Sequence, residues 1–182
     1  VFQFYSKSND KPLPGKGSGE SINKDDVKIF AKLGKIPNWR KKLSNFWEHK
    51  FQLDGHNWLS VEHYYQGSKF KNGNNDYYLQ FSLDSDSVLS KDPIIAKSAG
   101  GKTGKLDGKT IRPPDIKIDD DFFSSERSVK EMNKAQMAKF TQIDELKEVL
   151  KETKNARLMH YIRGSPPIEF TNLMKIRDEL IK

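Results

Sequence analysis

The sequence predicts an α+β fold, mainly helical around a small β-sheet, in one domain spanning residues 1–182. Short apolar stretches of strand character lie early in the chain, at residues 1–5 and on both sides of Asp54-Gly55. Helical spacing of apolar residues takes over later, from Ser125, from Asp144 and again around Leu173. A chain of 182 residues is also long enough to bury a substantial core without cross-links.

Residues 1–5, VFQFY, alternate as a strand does and end abruptly. The following KSNDKPLPGKGSGE holds two prolines and three glycines and reads as loop. Within it, Gly15, Lys16, Gly17, Gly19 and Glu20 form a candidate anion cradle. Glycine lets backbone N–H groups approach an anion, and a lysine among them offsets phosphate charge. The spacing is not that of a Walker loop, and a plain surface loop has the same composition. Residues 21–42 show no clean period, so a strand or short helix before a turn at Pro37 is expected. Arg40-Lys41-Lys42 is a basic cluster that suits a phosphate contact or a solvated edge.

Residues 43–70, LSNFWEHKFQLDGHNWLSVEHYYQGSKF, contain two of the three tryptophans. FQLDGHNW predicts a hairpin, because Asp-Gly tolerates the positive φ angles of a tight turn. Ser60 then predicts the N-cap of a helix over residues 61–71. On that helix Glu62, Gln66 and Lys69, four and then three apart, share one stripe with Tyr65 beside them. Val61, Tyr64 and Ser68 turn toward the core. The pattern alone fits a surface carboxylate and a surface lysine as well as it fits a pocket.

KNGNND reads as a turn and DYYLQFSL as a short helix. Residues 84–121 are an irregular basic insertion, with Pro93, Gly100-Gly101, Gly104, Gly108 and Pro113-Pro114 interleaved with lysines, around a short helix at Ile94-Ile95-Ala96. A loop of this kind holds a nucleic-acid strand or is simply disordered. In the helix from Ser125, Val129, Met132, Ala135, Ala138 and Phe140 face inward. A capping box at residues 141–144 opens the next helix, which buries Ile143, Leu146, Val149 and Leu150. The last helix buries Leu173, Ile176 and Leu180.

The net charge of +7 comes from lysines spread along the chain. It suits an anionic partner such as nucleic acid or a phosphorylated nucleotide, although solubility alone produces the same sum. No apolar run approaches a membrane span, so no membrane partner is expected. No signal peptide is evident at Val1. The chain has no cysteine, which fits a reducing, intracellular compartment, cytoplasmic or nuclear. His49, His56, His63 and His160 lack zincin spacing, and no metal or cofactor is expected. There is no nucleophile elbow. A carboxylate, lysines and aromatics remain, a set that suits a nucleoside-like ligand and metal-free hydrolysis of an N-glycosidic bond.

In the central stretch Ser44, Asn45, Phe46, Asp54, Gly55, Trp58, Ser60, Glu62, His63, Tyr64, Gln66, Lys69 and Phe70 fall in order on a known signature. The chain resembles the NADAR superfamily, the YbiA-like proteins, whose pattern runs SNF, DG, W, S-x-E-H-Y-Q and K-F. Phe4-Tyr5-Ser6 resembles the family's opening strand, and SVKEMNKAQMAKF and LMKIRDEL its later helices. Many members carry a glycine-lysine-glycine loop before the last helix, after a Trp-Gly stretch. Here residues 160–167 lack Trp-Gly, and PGKGSGE is expected to fill the same place from the other end of the chain.

The resemblance implies ADP-ribose recognition and removal of ADP-ribose from guanine bases in DNA, RNA or guanine nucleotides, a DNA-repair type of chemistry. Two alternatives stand beside it: an N-glycosidase of phosphorylated riboflavin-pathway intermediates, and a non-catalytic reader of ADP-ribose or ADP-ribosylated nucleic acid. In the glycosidase reading Glu62 is the general acid/base and either Lys16 or Lys69 is an amine nucleophile that forms a Schiff base. Phosphate charge balance is the alternative role of both lysines. Asn45 hydrogen-bonds sugar or base, while Phe46, Trp58 and Tyr65 offer stacking faces or pack the core. Gly15, Gly17, Gly19 and Glu20 bind pyrophosphate and ribose, and Arg163 takes a phosphate.

Overall fold

The computed structural model describes residues 1–182. Strand β1, Phe2–Phe4, buries both phenylalanines. After the glycine-rich loop the chain forms two 3₁₀ helices, Lys24–Phe30 and Leu33–Lys35, where a strand or a short helix was expected. Helix α1, Trp39–Leu43, follows.

Strands β2, Phe51–Leu53, and β3, His56–Trp58, pair antiparallel across Asp54 and Gly55, at φ 52° and 78°. These angles are those that the Asp-Gly dipeptide accepts in a two-residue hairpin turn. Helix α2, Val61–Ser68, is capped by Ser60, whose Oγ accepts the His63 N–H at 3.3 Å. It ends at Ser68, earlier than the sequence suggests. The Ser68 carbonyl accepts from Arg127 at 2.6 Å and the Lys69 carbonyl from the Asp119 N–H at 2.7 Å, so tertiary donors replace another helical turn.

Helices α3, Asn75–Leu79, and α4, Pro93–Ala99, are capped by the side chains of Asn74 and Asp92. A small hairpin joins β4, Lys105–Leu106, to β5, Lys109–Thr110. Then come α5, Asp121–Ser124, α6, Arg127–Gln142, and α7, Asp144–Glu152. The chain closes with β6, Leu158–Ile162, β7, Ser165–Glu169, and α8, Thr171–Ile181. No helix is long and apolar enough to cross a membrane.

The chain forms two compact units, Val1–Trp47 with Phe140–Lys182, and Glu48–Lys139. In the first, the sheet order is β1-β6-β7, with β1 parallel to β6 and β6 antiparallel to β7. The sheet therefore joins the two ends of the chain and takes only β1 from the early strands. Pro166 and Pro167 lie in β7, an edge strand, where proline's missing N–H is tolerated. Phe2 packs edge-on against Phe30 at 4.9 Å and Trp39 at 5.2 Å. Ile143, Leu146, Val149, Leu150, Leu173 and Ile176 are buried as expected, and Leu180 is half-buried. The expected capping box does not form, because Thr141 still belongs to α6 and Ile143 occupies the N-cap of α7 without a side-chain bond.

In the second unit α2 is the hub. Trp58 packs between Tyr64, at 5.1 Å, and Tyr78, at 5.3 Å. A Cβ on Gly67 would stand 2.9 Å from the Phe81 Cβ, so glycine permits this close approach. The Tyr64 hydroxyl meets Asp54 Oδ2 at 2.6 Å and also the Glu131 carboxylate, tying hairpin, α2 and α6 together. Burial alone would raise the Asp54 carboxyl, but hydrogen bonds from Lys71, Tyr64 and Lys134 bring it down to about 2. Val129, expected inside, is 59% exposed; the buried stripe of α6 runs instead through Glu131, Ala135 and Ala138. Ser60→Ala should lower the unfolding free energy by about 1 kcal/mol through loss of the cap, as read by urea denaturation.

Candidate active site

Two groups of the expected residues come together, each within its own unit. The first lies on α2. Glu62 and Gln66, one turn apart, are joined by a bond of 2.7 Å from Gln66 Nε2 to Glu62 Oε1. Lys69, at the C-cap of the same helix, donates from Nζ to the Gly100 carbonyl at 2.9 Å. Its ammonium lies 5.2 Å from the Tyr65 ring centroid and 5.5 Å from that of Phe123. Glu62, Gln66 and Lys69 are all buried, whereas Phe123 is 62% exposed.

Helix α4 forms the opposing wall. A Cβ on Gly100 would stand 2.2 Å from Gln66 Oε1, so only glycine lets the end of α4 approach the Gln66 amide. Arg112 binds the same turn, donating to the Ala99 and Gly101 carbonyls at 2.8 and 2.7 Å. The carbonyls at the end of α4 thus receive two cations, in the sense favoured by the helix dipole. The chemistry of Glu62 is set mainly by dehydration. Burial raises its carboxyl pKa, against the opposing pull of the Gln66 bond and the charges of Lys97 and Lys69. Burial also pushes the Lys69 amine down to about 8; Arg112 and Lys97 add to that shift and Glu62 opposes it. An acid whose proton is held more tightly and an amine whose proton is held more loosely share one helix face.

The second group is the glycine loop in the other unit. Its N–H groups do converge on a carboxylate, but the carboxylate is the chain's own. Glu20 Oε2 accepts from Gly15 N at 3.1 Å and Gly17 N at 3.0 Å, and Oε1 accepts from Gln3 N at 3.3 Å. Arg40 grips both Glu20 oxygens at 2.7 Å and binds the Pro12 and Leu13 carbonyls at 2.7 and 3.1 Å. In this structure the donors of Gly15 and Gly17 and the acceptor Glu20, expected to hold pyrophosphate and ribose, satisfy one another. Gly19, at φ 73°, lies against the Gln3 amide. Lys16 is exposed on this loop. A cavity of about 390 Å³ beside it is lined by Tyr5, Gly17, Ser18, Glu20, Arg40 and Tyr161, among others, so the early loop and the late strand β6 do meet.

Asn45 and Phe46 are half-buried just past α1, with the Phe46 N–H on Ser44 Oγ at 3.2 Å. Trp58 has no exposed surface and donates its indole N–H to the Leu53 carbonyl at 2.9 Å, so it packs the core and offers no open stacking face. Tyr65 is half-buried against Phe122 at 5.6 Å. Arg163 is exposed at the β6–β7 turn. Sequence reasoning did not single out Gly100, Arg112 or Phe123, which reach α2 from 30 or more positions away and leave no local signature.

An NMR structure of the E. coli protein YbiA matches this chain with a TM-score of 0.58 and 24% sequence identity, over 78% of this chain and 79% of that one. The fold is that of YbiA. No protein-family model and no curated protein sequence matches the chain. The likeness to YbiA is one of fold.

Glu20→Ala leaves the Arg40 guanidinium buried without its counter-charge. It should lower the unfolding free energy by about 3–5 kcal/mol, measured by guanidinium denaturation.

Proposed function

We propose that the protein is an N-glycosyl hydrolase of the NADAR type that removes ADP-ribose from guanine bases, in nucleic acid or in guanine nucleotides. The observation that carries this reading is the buried carboxyl of Glu62 and the buried amine of Lys69 on one face of α2, with Lys69 brought to about 8. The YbiA-like fold and the signature residues support it. The positive charge of +7 favours an anionic, phosphate-bearing substrate.

The chemistry follows from the nitrogen that is cleaved. An exocyclic guanine amine pushes its lone pair toward the ribose C1, the C1–O4 bond breaks, and an imine forms at C1 as the proton of the amine N–H passes to O4, which becomes a hydroxyl. The neutral Lys69 amine adds to C1. The guanine amine then leaves with a proton delivered by Glu62, so that the sugar is held as a lysine imine. Water adds to that imine, the carboxylate takes up the water's proton, and ADP-ribose departs with Lys69 regenerated. Lys69 suits the nucleophile better than Lys16, because dehydration gives it a neutral fraction near neutral pH.

On a guanine-ADP-ribosylated oligonucleotide, wild type should release ADP-ribose, whereas Glu62→Gln and Lys69→Arg should each lose about a hundredfold or more in rate. Borohydride added during turnover should trap the sugar on Lys69, identified by peptide mass spectrometry. An adduct on Lys16 would move the nucleophile to the glycine loop, and binding without release would make the protein a reader. The pH dependence has a definite sign. Lys69 is protonated and inert below its folded value and free above it, so the rate should rise with pH with a midpoint near 8. Lys69→Arg should abolish that limb.

A further inference from the structure

The first unit carries a second cavity that the glycosidase chemistry does not use. It encloses about 360 Å³ between the loop residues Leu13 and Pro14 and the two 3₁₀ helices, which contribute Val27, Lys28, Phe30, Ala31, Gly34 and Lys35. The spacing 27, 30/31, 34 is the stripe that successive 3₁₀ turns place on one side. At Gly34 the walls nearly touch, since a Cβ there would stand 3.1 Å from Pro14 Cδ. Around this groove apolar side chains stand in water: Leu13 is 65% exposed and Val27 49%, and on the same 3₁₀ helix Ile29 is 45% exposed. Leu13 and Val27 are thus exposed apolar side chains at the rim of a groove, a feature of interaction sites.

The charges on its wall point to the partner. Both ionisable wall residues, Lys28 and Lys35, are exposed, and neither enters an ion pair. Lys32 between them is committed instead to Glu148 and Glu152. Asp25 and Asp26 lie on the preceding turn and do not line the groove.

We propose that this groove docks an acidic segment of a partner protein, which inserts an apolar side chain between Leu13 and Val27 and places carboxylates against Lys28 and Lys35. A concave groove receives a protruding side chain, whereas a membrane surface calls for a convex apolar face. A second copy of the chain would set lysines against lysines.

The test uses a fluorescein-labelled 12-residue peptide alternating leucine with glutamate, the same peptide with lysine for glutamate, and vesicles containing phosphatidylserine. Fluorescence anisotropy should show saturable binding of the acidic peptide only, weakened by added salt. Leu13→Glu and Val27→Glu, each at an exposed position and checked for an unchanged melting profile, should weaken it about tenfold or more. The pair Lys28→Glu with Lys35→Glu should transfer the preference to the basic peptide. Absence of saturable binding, equal binding of both peptides, indifference to the groove variants, binding of vesicles alone, or self-association that the Leu13 variant abolishes would each overturn the proposal. ADP-ribose release remains unchanged in these variants, which separates this test from that of the glycosidase reading.

Discussion

Holding a carboxyl and an amine out of water on one helix face is the constraint on which the second unit depends. Dehydration destabilises both charged forms, so the surroundings must supply what water did. The Gln66 amide supplies it for Glu62, and the Gly100 carbonyl with two aromatic rings supplies it for Lys69. The bare Cα of Gly100 allows the end of α4 to come close enough, and Arg112 secures the carbonyls around it. Arg127, on the Ser68 carbonyl and on Asp119, stops α2 where Lys69 turns toward that wall. Together these contacts leave an acid and a base with displaced affinities for the proton.

The glycine loop shows the same physics with the opposite outcome. A nest of backbone N–H groups is an anion site, and here its occupant is Glu20, neutralised in turn by Arg40. The result is an internally satisfied loop on which Lys16 is exposed. Lysines in the two units therefore differ in kind: Lys69 is dry and loosely protonated, while Lys16 is an exposed side chain on a hydrogen-bonded loop.

Much of this was legible in local pattern. Ser60 before Val61 announced the cap of α2, Asp54-Gly55 announced its hairpin, and the spacing of Glu62, Gln66 and Lys69 announced a shared face. Local pattern failed where distant residues decide. Strands β6 and β7 carry no clear local signal, because Pro166-Pro167 breaks a strand unless it lies at a sheet edge, and which strand is the edge depends on pairing with β1. Thr141 carries a capping signal that helical continuity overrides. Glycines at 15 and 17 announce anion binding but do not say whose anion. Gly100 and Arg112 matter through what they touch across the unit, and no periodicity encodes that.

At the C-cap of α2 stands a lysine whose amine loses its proton far below the ordinary lysine range. Lysine labelled with ¹³C at Cε, followed by NMR through a pH titration with Lys69→Arg for assignment, reads this directly. The account predicts one resonance that titrates near pH 8 and vanishes in the variant. If every lysine resonance, that of Lys69 included, titrates near the ordinary value of about 10.4, the amine is not prepared by its surroundings and the account of α2 is contradicted.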